Sequence, residues 1–113
     1  MEKIIVIGGK SVLFKSTGAY LYKYKAQFNK DAFQDIMKLK DLYDEETKQL
    51  ANIETLDLEL FYNLVWVLAK TADPAINPPE EWLDEFDEFP LFDIIPEVID
   101  MILSTITSTA KKK

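Results

Sequence analysis

The carboxylates of residues 80–100 are the side chains whose types and spacing could support chemistry in this chain. Four of them recur three or four residues apart, the spacing that places side chains on one side of a helix: Glu81, Asp84, Glu85 and Glu88. Two carboxylates on such a face could act as general acid and base, or bind a divalent cation. We favour a solvated acidic face, because no segment has the alternating acids and central glycine of a calcium loop, and no second carboxylate cluster accompanies this one.

The composition leaves few other catalytic groups. All thirteen basic residues are lysines, and the chain has no arginine, histidine or cysteine. The usual zinc ligands, a cysteine nucleophile and a histidine general base are therefore missing together. We predict that this protein is not an enzyme, with no catalytic residue, no metal site and no cofactor.

The acidity is concentrated in the second half of the chain. The formal charge of −7 combines +2 over residues 1–50 with −9 over residues 51–113. Nine carboxylates with no lysine among them follow two prolines: Glu80, Glu81, Asp84, Glu85, Asp87, Glu88, Asp93, Glu97 and Asp100. A local field of one sign steers a partner, whereas an isoelectric point near 4.5 argues against nucleic acid, which clustered Lys and Arg bind.

Four large aromatic residues are interleaved with these acids. Trp82, Phe86 and Phe89 are spaced by four and three residues, which fits a buried stripe, and we predict that Trp82 and Phe86 lie in the core. Phe89 and Phe92 are predicted to be the exposed pair. Aromatic side chains beside charge of one sign form an anchor with a steering rim. The predicted partner-binding residues are Trp82, Asp84, Glu85, Phe86, Asp87, Glu88, Phe89 and Phe92.

The chain begins with a predicted β-hairpin. Apolar runs within residues 3–8 and 10–15 flank Gly8 and Gly9, a pair that supplies the positive φ angles of a two-residue turn. The sequence Gly8-Gly9-Lys10-Ser11 also resembles the end of a phosphate-binding loop, but that motif needs a glycine where Ile4 stands. We therefore predict a hairpin turn at this point.

Two helices are predicted next. Tyr20, Tyr24 and Phe28 fall four residues apart behind a capping sequence at residues 16–18, although the tyrosines at every second position also fit a strand. Asp31 can cap the second helix. The apolar stripe of that helix would comprise Phe33, Ile36, Met37 and Tyr43.

The second half contains three further predicted helices. The first opens at Asp57, after polar residues 44–54 that prolong the preceding helix or form a loop, and it is apolar nearly all round, as a central buried helix is. Helices at residues 80–88 and 97–107 follow, with prolines between them. We predict a mainly α (α+β) fold: a short N-terminal β-hairpin and a compact bundle of four to five helices, with no further sheet. One domain would span residues 1–107, followed by a flexible polar tail at 108–113.

The most apolar segments, residues 58–69 and 91–106, are interrupted by polar and charged residues and fall short of the roughly 20 apolar residues that span a membrane. The sequence shows no secretory signal and no cysteine. We therefore expect a cytoplasmic protein that contacts neither membrane nor nucleic acid.

Three stretches of the chain carry the pattern of a known family. The hairpin closes on KSTGAYLYKYKAQFNKD at residues 15–31, LVWVLAKTADPAI follows at 64–76, and EEWLDEFDEFPLFDIIPEVI at 80–99. The last two, in that order and spacing, are the specific part, and they resemble the tail assembly chaperone family of long-tailed bacteriophages infecting Gram-positive bacteria. Residues 42–56 carry no such element.

The resemblance implies a small, mainly helical protein encoded between the genes of the tail tube protein and the tape measure protein. Such chaperones coat the tape measure protein until tube subunits polymerise around it, act in the host cytoplasm and are absent from the finished virion. The family brings no catalytic residues. Its frameshifted longer products also suggest a slippage site at the closing Lys111-Lys112-Lys113 run.

Two other functions are alternatives to the assembly chaperone. One is an acidic inhibitor or adaptor that occupies a basic groove of a host protein, although the interleaved aromatic residues do not fit a nucleic-acid mimic. The other is a carboxylate-dependent hydrolase, which would need a concave site that a fold this small could hardly enclose. The oligomeric state is left open, with self-association among the alternatives.

Overall fold

The computed structural model describes residues 1–44, 46–47, 49–50 and 58–106. Strands β1 (Glu2–Ile7) and β2 (Lys10–Lys15) come first, followed by helices α1 (Tyr20–Phe28) and α2 (Ala32–Leu42). Two short strands, β3 (Tyr43–Asp44) and β4 (Gln49–Leu50), precede helices α3 (Leu58–Ala72), α4 (Pro79–Leu83) and α5 (Leu91–Ile106). The predicted fold class, an N-terminal hairpin followed by helices, is confirmed. The predicted tail at 108–113 lies outside the described residues, as do most of residues 45–57.

The N-terminal hairpin forms as its turn residues predict. Strands β1 and β2 pair antiparallel, with Ile7 opposite Lys10 and Ile4 opposite Leu13. Gly8 and Gly9 connect them with φ angles of 56° and 85°, both positive, as a type I′ turn requires. Successive side chains of the strands alternate between the two faces, so that Ile7 and Phe14 are buried against the helices.

Helix α1 carries two buried tyrosines, Tyr20 and Tyr24, one turn apart. The predicted capping sequence works differently from expectation, because Ser16 is buried and its hydroxyl lies 2.5 Å from that of Thr105 on α5. The Thr17 hydroxyl instead accepts a hydrogen bond from the backbone N–H of Ala19, at 3.2 Å. Ser16 therefore ties the end of the hairpin to the last helix instead of capping α1.

Replacing Tyr20 with phenylalanine should flatten the loss of stability at alkaline pH. The Tyr20 hydroxyl donates a 2.9 Å hydrogen bond to the Leu64 carbonyl, and burial, followed by the nearby Tyr24, raises the pKa of Tyr20 well above 10.0. A raised native pKa stabilises the fold below the unfolded pKa of about 10, and this contribution is lost as pH rises from there towards the native pKa. Thermal melts of wild type and Tyr20→Phe between about pH 8 and 11 test this. Equal slopes would contradict it.

Helix α2 begins as its capping residue predicts, since the Asp31 carboxylate accepts a 3.1 Å hydrogen bond from the backbone N–H of Phe33. The predicted apolar stripe is only partly right. Ile36 is buried and Met37 is half-buried, but Phe33 is 46% exposed, and Tyr43 lies beyond the helix in β3.

The prediction of no further sheet is wrong. β3 and β4 pair antiparallel over two residues each, with Tyr43 opposite Leu50 and Asp44 opposite Gln49. The pairing is too short for any period-two pattern of apolar residues to reveal it.

Helix α3 is the centre of the molecule, as its apolar sequence predicts. Nine of its residues are buried, from Leu60 to Ala69. Strand β2 and helix α1 pack against it, and α4 lies beside it. A helix that is apolar on nearly all sides must be covered on nearly all sides, which explains this position.

The last helix begins earlier than predicted, at Leu91 instead of residue 97, and Pro96 lies inside it. The Asp93 and Ile94 backbone N–H groups both bond to the Pro90 carbonyl at 3.1 Å, so the helix starts from Pro90. Pro96 removes the helical bond to the Phe92 carbonyl, four residues back, on a turn that faces water. Among the described residues, no helix has the length and apolar character needed to cross a membrane.

Candidate functional site

Helix α4 begins the stretch of residues 80–93, which we call the acidic segment. Pro79 occupies its first turn, and Glu80 and Glu81 lie where the helix dipole favours negative charge. The helix ends at Leu83, five residues earlier than predicted, and the chain continues in turns that bond Glu85 N–H to the Trp82 carbonyl. The prediction that four carboxylates line one helix face is therefore wrong, because Asp84, Glu85 and Glu88 lie beyond the helix.

An aromatic cluster holds this irregular segment against α3. Trp82 is buried, and its ring centroid lies 5.1 Å from that of Phe86 and 6.1 Å from that of Phe89. Phe89 also lies 5.7 Å from Phe86 and from Tyr62 of α3. Of the two predicted core residues, Trp82 is buried but Phe86 is only half-buried, and Phe89 is also half-buried in this cluster and not exposed. Of the predicted exposed pair only Phe92 is exposed, at 63%.

The tip of the hairpin fixes the same segment from the other side. The Lys10 ammonium donates a 2.6 Å hydrogen bond to the Glu85 carbonyl and lies 5.4 Å from the centre of the Phe86 ring. Gly8 approaches the backbone so closely that a Cβ there would lie 3.0 Å from the Glu88 carbonyl oxygen. Asn77 completes the arrangement by donating a 2.8 Å hydrogen bond to the Glu85 carboxylate.

The carboxylates of the segment point into water. Between residues 80 and 93 seven carboxylates are exposed, and we group them with the exposed side chain of Phe92 under the name acidic surface: Glu80, Glu81, Asp84, Glu85, Asp87, Glu88 and Asp93. The ion pairs found among the described residues, Lys3 with Glu97 and Lys15 with Glu2, involve none of these seven. These seven carboxylates therefore have no ion pair within the described part of the chain, and the Lys10 ammonium at the Glu85 carbonyl offsets their field only in part.

The acidic surface has no arrangement that suggests metal binding. Over the described ranges, no three Asp or Glu side chains converge as ligands for a metal ion. The nearby groove between β2 and helices α3 and α4, about 510 Å³ in volume, presents Lys10, Ser11, Asp73 and Glu85 beside Trp82 and Phe86. Exposed carboxylates around an aromatic cluster are suited to contact with a partner, in which charge steers and apolar area binds.

A second groove, between α1 and α3, has the opposite charge. It measures about 360 Å³ and is lined by Tyr22, Lys23, Ala26, Trp66, Lys70 and Pro74 among others. The Lys70 ammonium lies 5.4 Å from the centre of the Trp66 ring, whose N–H donates a 2.8 Å bond to the Asn77 carbonyl. No residue of this groove was among the predicted site residues.

The outer face of the hairpin, which we define by Ile4, Val6 and Leu13, was not predicted as a site from the sequence. These side chains are 65%, 62% and 40% exposed, although they are apolar. The signal was the unbroken run Ile4-Ile5-Val6-Ile7, because a strand with one solvated face alternates apolar and polar residues. Both faces of β1 are apolar, and the fold covers one of them.

Comparison of the chain with protein-family models, with curated proteins and with solved structures finds no match. The tail assembly chaperone family therefore stands as a resemblance in three stretches of sequence.

Proposed function

We propose that this protein is a non-catalytic tail assembly chaperone that binds a phage tape measure protein and promotes polymerisation of the tail tube protein around it. It would act in the host cytoplasm and leave before the virion is complete. The resemblance of residues 15–31, 64–76 and 80–99 supplies the partner. The acidic surface is the structural feature that supports this proposal.

The observation that carries the proposal is the exposed Phe92, next to Asp93 and close in sequence to further exposed carboxylates that have no ion-pair partner in the described part of the chain. An exposed aromatic side chain supplies apolar contact area, and the surrounding charge speeds encounter without adding much affinity. Such a surface suits reversible covering of a long helical protein, which must be released when the tube subunits arrive. Trp82, Phe86 and Phe89 would act by holding the acidic surface in place.

The test is co-expression with the tape measure protein encoded by the neighbouring gene. We expect the tape measure protein to stay soluble and to co-purify with this chain. The complex should weaken as salt rises and still persist, since screening acts over about 8–10 Å on exposed charges and leaves apolar contacts intact. A tape measure protein that remains insoluble, or a gene without such a neighbour, would contradict the proposal.

Replacing Phe92 with alanine should weaken capture of the tape measure protein by about 1 kcal/mol or more, as truncation of an interface anchor does. The matched control is Phe33→Ala, which removes the same ring from an exposed position on α2, remote in sequence from the acidic surface. Binding of both variants is measured by titration, alongside their melting temperatures. Equal binding by Phe92→Ala and Phe33→Ala would remove Phe92 from the interface.

A different result would favour the acidic inhibitor or adaptor. In that case the chain would ignore the tape measure protein and bind a basic host protein, with affinity that falls steeply as salt rises. Phe92→Ala would then have little effect, because the carboxylates would carry the interaction.

A further inference from the structure

The outer edge of β1 is unpaired. Met1 and Ser16 exchange two backbone hydrogen bonds, of 2.8 and 2.9 Å, and hydrogen-bonded pairs alternate along an antiparallel ladder. Lys3, Ile5 and Ile7 therefore bond to β2, whereas the N–H and C=O groups of Glu2, Ile4 and Val6 point away from it. Within the part of the chain that the structure describes, these outward groups make no hydrogen bond.

This edge lacks most of the features that usually protect an edge strand, since its two charged residues, Glu2 and Lys3, stand together at its start. Such strands are kept short, or carry prolines, bulges or charges that discourage pairing with another strand. β1 is six residues long, contains no proline and keeps an unbroken register with β2. Its outward-pointing backbone groups coincide with the exposed side chains of Ile4 and Val6.

The other edge of the hairpin is different. The groove beside β2 is lined by Lys10, Ser11, Val12 and Leu13 on one side and by α3 and α4 on the other. β2 therefore faces the body of the molecule, and β1 is the edge open to a further strand.

We propose that β1 pairs antiparallel with β1 of a second copy of this chain, to give a four-stranded sheet across a two-fold axis at Ile4. Residues directly opposite across an antiparallel pair share a face, so Ile4 stands opposite Ile4 of the second copy, and Glu2 opposite Val6. This register pairs the outward groups of all three residues. It also joins Leu13, Ile4 and their symmetry mates into one apolar row on the outer face.

Charge does not oppose an identical partner at this edge. The chain carries a net charge of −7, so most of its surface repels a second copy. Near β1, however, Glu2 lies 3.9 Å from Lys15, and Lys3 pairs with Glu97 of α5. Together with the Met1 ammonium, these groups give the edge charges of both signs, so that a second copy meets little charge repulsion there.

The mass of the purified chain, followed by sedimentation equilibrium from about 10 µM to about 1 mM, tests the proposal in the range where a weak complex forms. Wild type should approach a dimer with rising concentration. Ile4→Lys places two ammonium groups opposite each other on the axis and should raise the dimer Kd at least about tenfold. Leu13→Lys is the matched control, since it adds the same charge to the same face one strand further from the axis, and its Kd should change less.

Amide exchange of the wild-type chain gives a second measurement that does not depend on folding of the variants. The N–H groups of Glu2, Ile4 and Val6 should exchange more slowly as concentration rises, while those of Lys3, Ile5 and Ile7 stay protected throughout. A wild-type monomer at about 1 mM would overturn the proposal and leave the edge to an extended segment of another protein. A folded Ile4→Lys variant that still dimerises, or outward amides insensitive to concentration, would overturn it as well.

Discussion

Replacing Trp82 with alanine is expected to lower the free energy of unfolding by about 3–5 kcal/mol, the cost of truncating a large buried aromatic residue. Trp82 is only 3% exposed and its ring contacts those of Phe86 and Phe89, so its loss would leave a cavity between α4 and α3. A domain of this size has about 5–15 kcal/mol of stability, and the variant could be largely unfolded at 37 °C. Denaturant unfolding followed by circular dichroism measures the change.

Two phenylalanines serve as controls for Trp82. Phe92→Ala should stay within about 0.5 kcal/mol of wild type, because the side chain is exposed. Phe89→Ala, which the sequence alone predicts to be equally harmless, should now fall between the two, because Phe89 packs on Tyr62, Trp82 and Phe86. If Phe92→Ala destabilises the chain as much as Trp82→Ala, the position of Phe92 outside the core is incorrect.

Replacing Gly8 with asparagine is expected to destabilise the protein by about 1–3 kcal/mol, the cost of overpacking a close contact. Hairpin chemistry alone predicts the opposite, since Asn-Gly is the preferred pair for a type I′ turn and φ at Gly8 is 56°. The Cβ of the new residue would lie 3.0 Å from the Glu88 carbonyl oxygen, however, and a backbone atom cannot rotate away as a side chain can. Thermal and denaturant unfolding would register the loss.

Gly9→Asn is the matched control for this contact. It adds the same side chain to the same turn, where no heavy atom lies within 4 Å of the new Cβ. We expect it to cost less than Gly8→Asn, although φ at Gly9 is also positive. If Gly8→Asn is as stable as wild type, the contact between Gly8 and the Glu88 backbone is not close enough to exclude a side chain.

The elements that local chemistry determines could be predicted from the sequence. The pair Gly8-Gly9 between two apolar runs predicted the hairpin, because few residues other than glycine adopt two successive positive φ angles. Asp31 gave the start of α2, and the all-round apolar sequence of α3 gave its central position. The charge of the acidic surface followed from composition, since unpaired carboxylates stay in water.

The arrangement of the candidate site was decided by the tertiary structure. Helix α4 ends at Leu83 because the next residues turn to pack Phe86 and Phe89 against Trp82, and this separates carboxylates that helical spacing would have placed together. Pro96 suggested a helix boundary, yet α5 runs through it, since the buried side chains of Ile94, Ile95, Val98 and Ile99 on its inner face outweigh one lost hydrogen bond.

The exposure of one face of β1 could not be predicted from the sequence either. A run of four apolar residues indicates that both faces of a strand are apolar. It does not indicate which of the two faces the rest of the chain will cover. Packing of the hairpin on α3 buries Ile7 and Phe14 and leaves Ile4 and Val6 in water. Local patterns thus determine which elements form, whereas the choice of which surfaces remain open depends on contacts between residues far apart in the chain, such as that of Gly8 with Glu88.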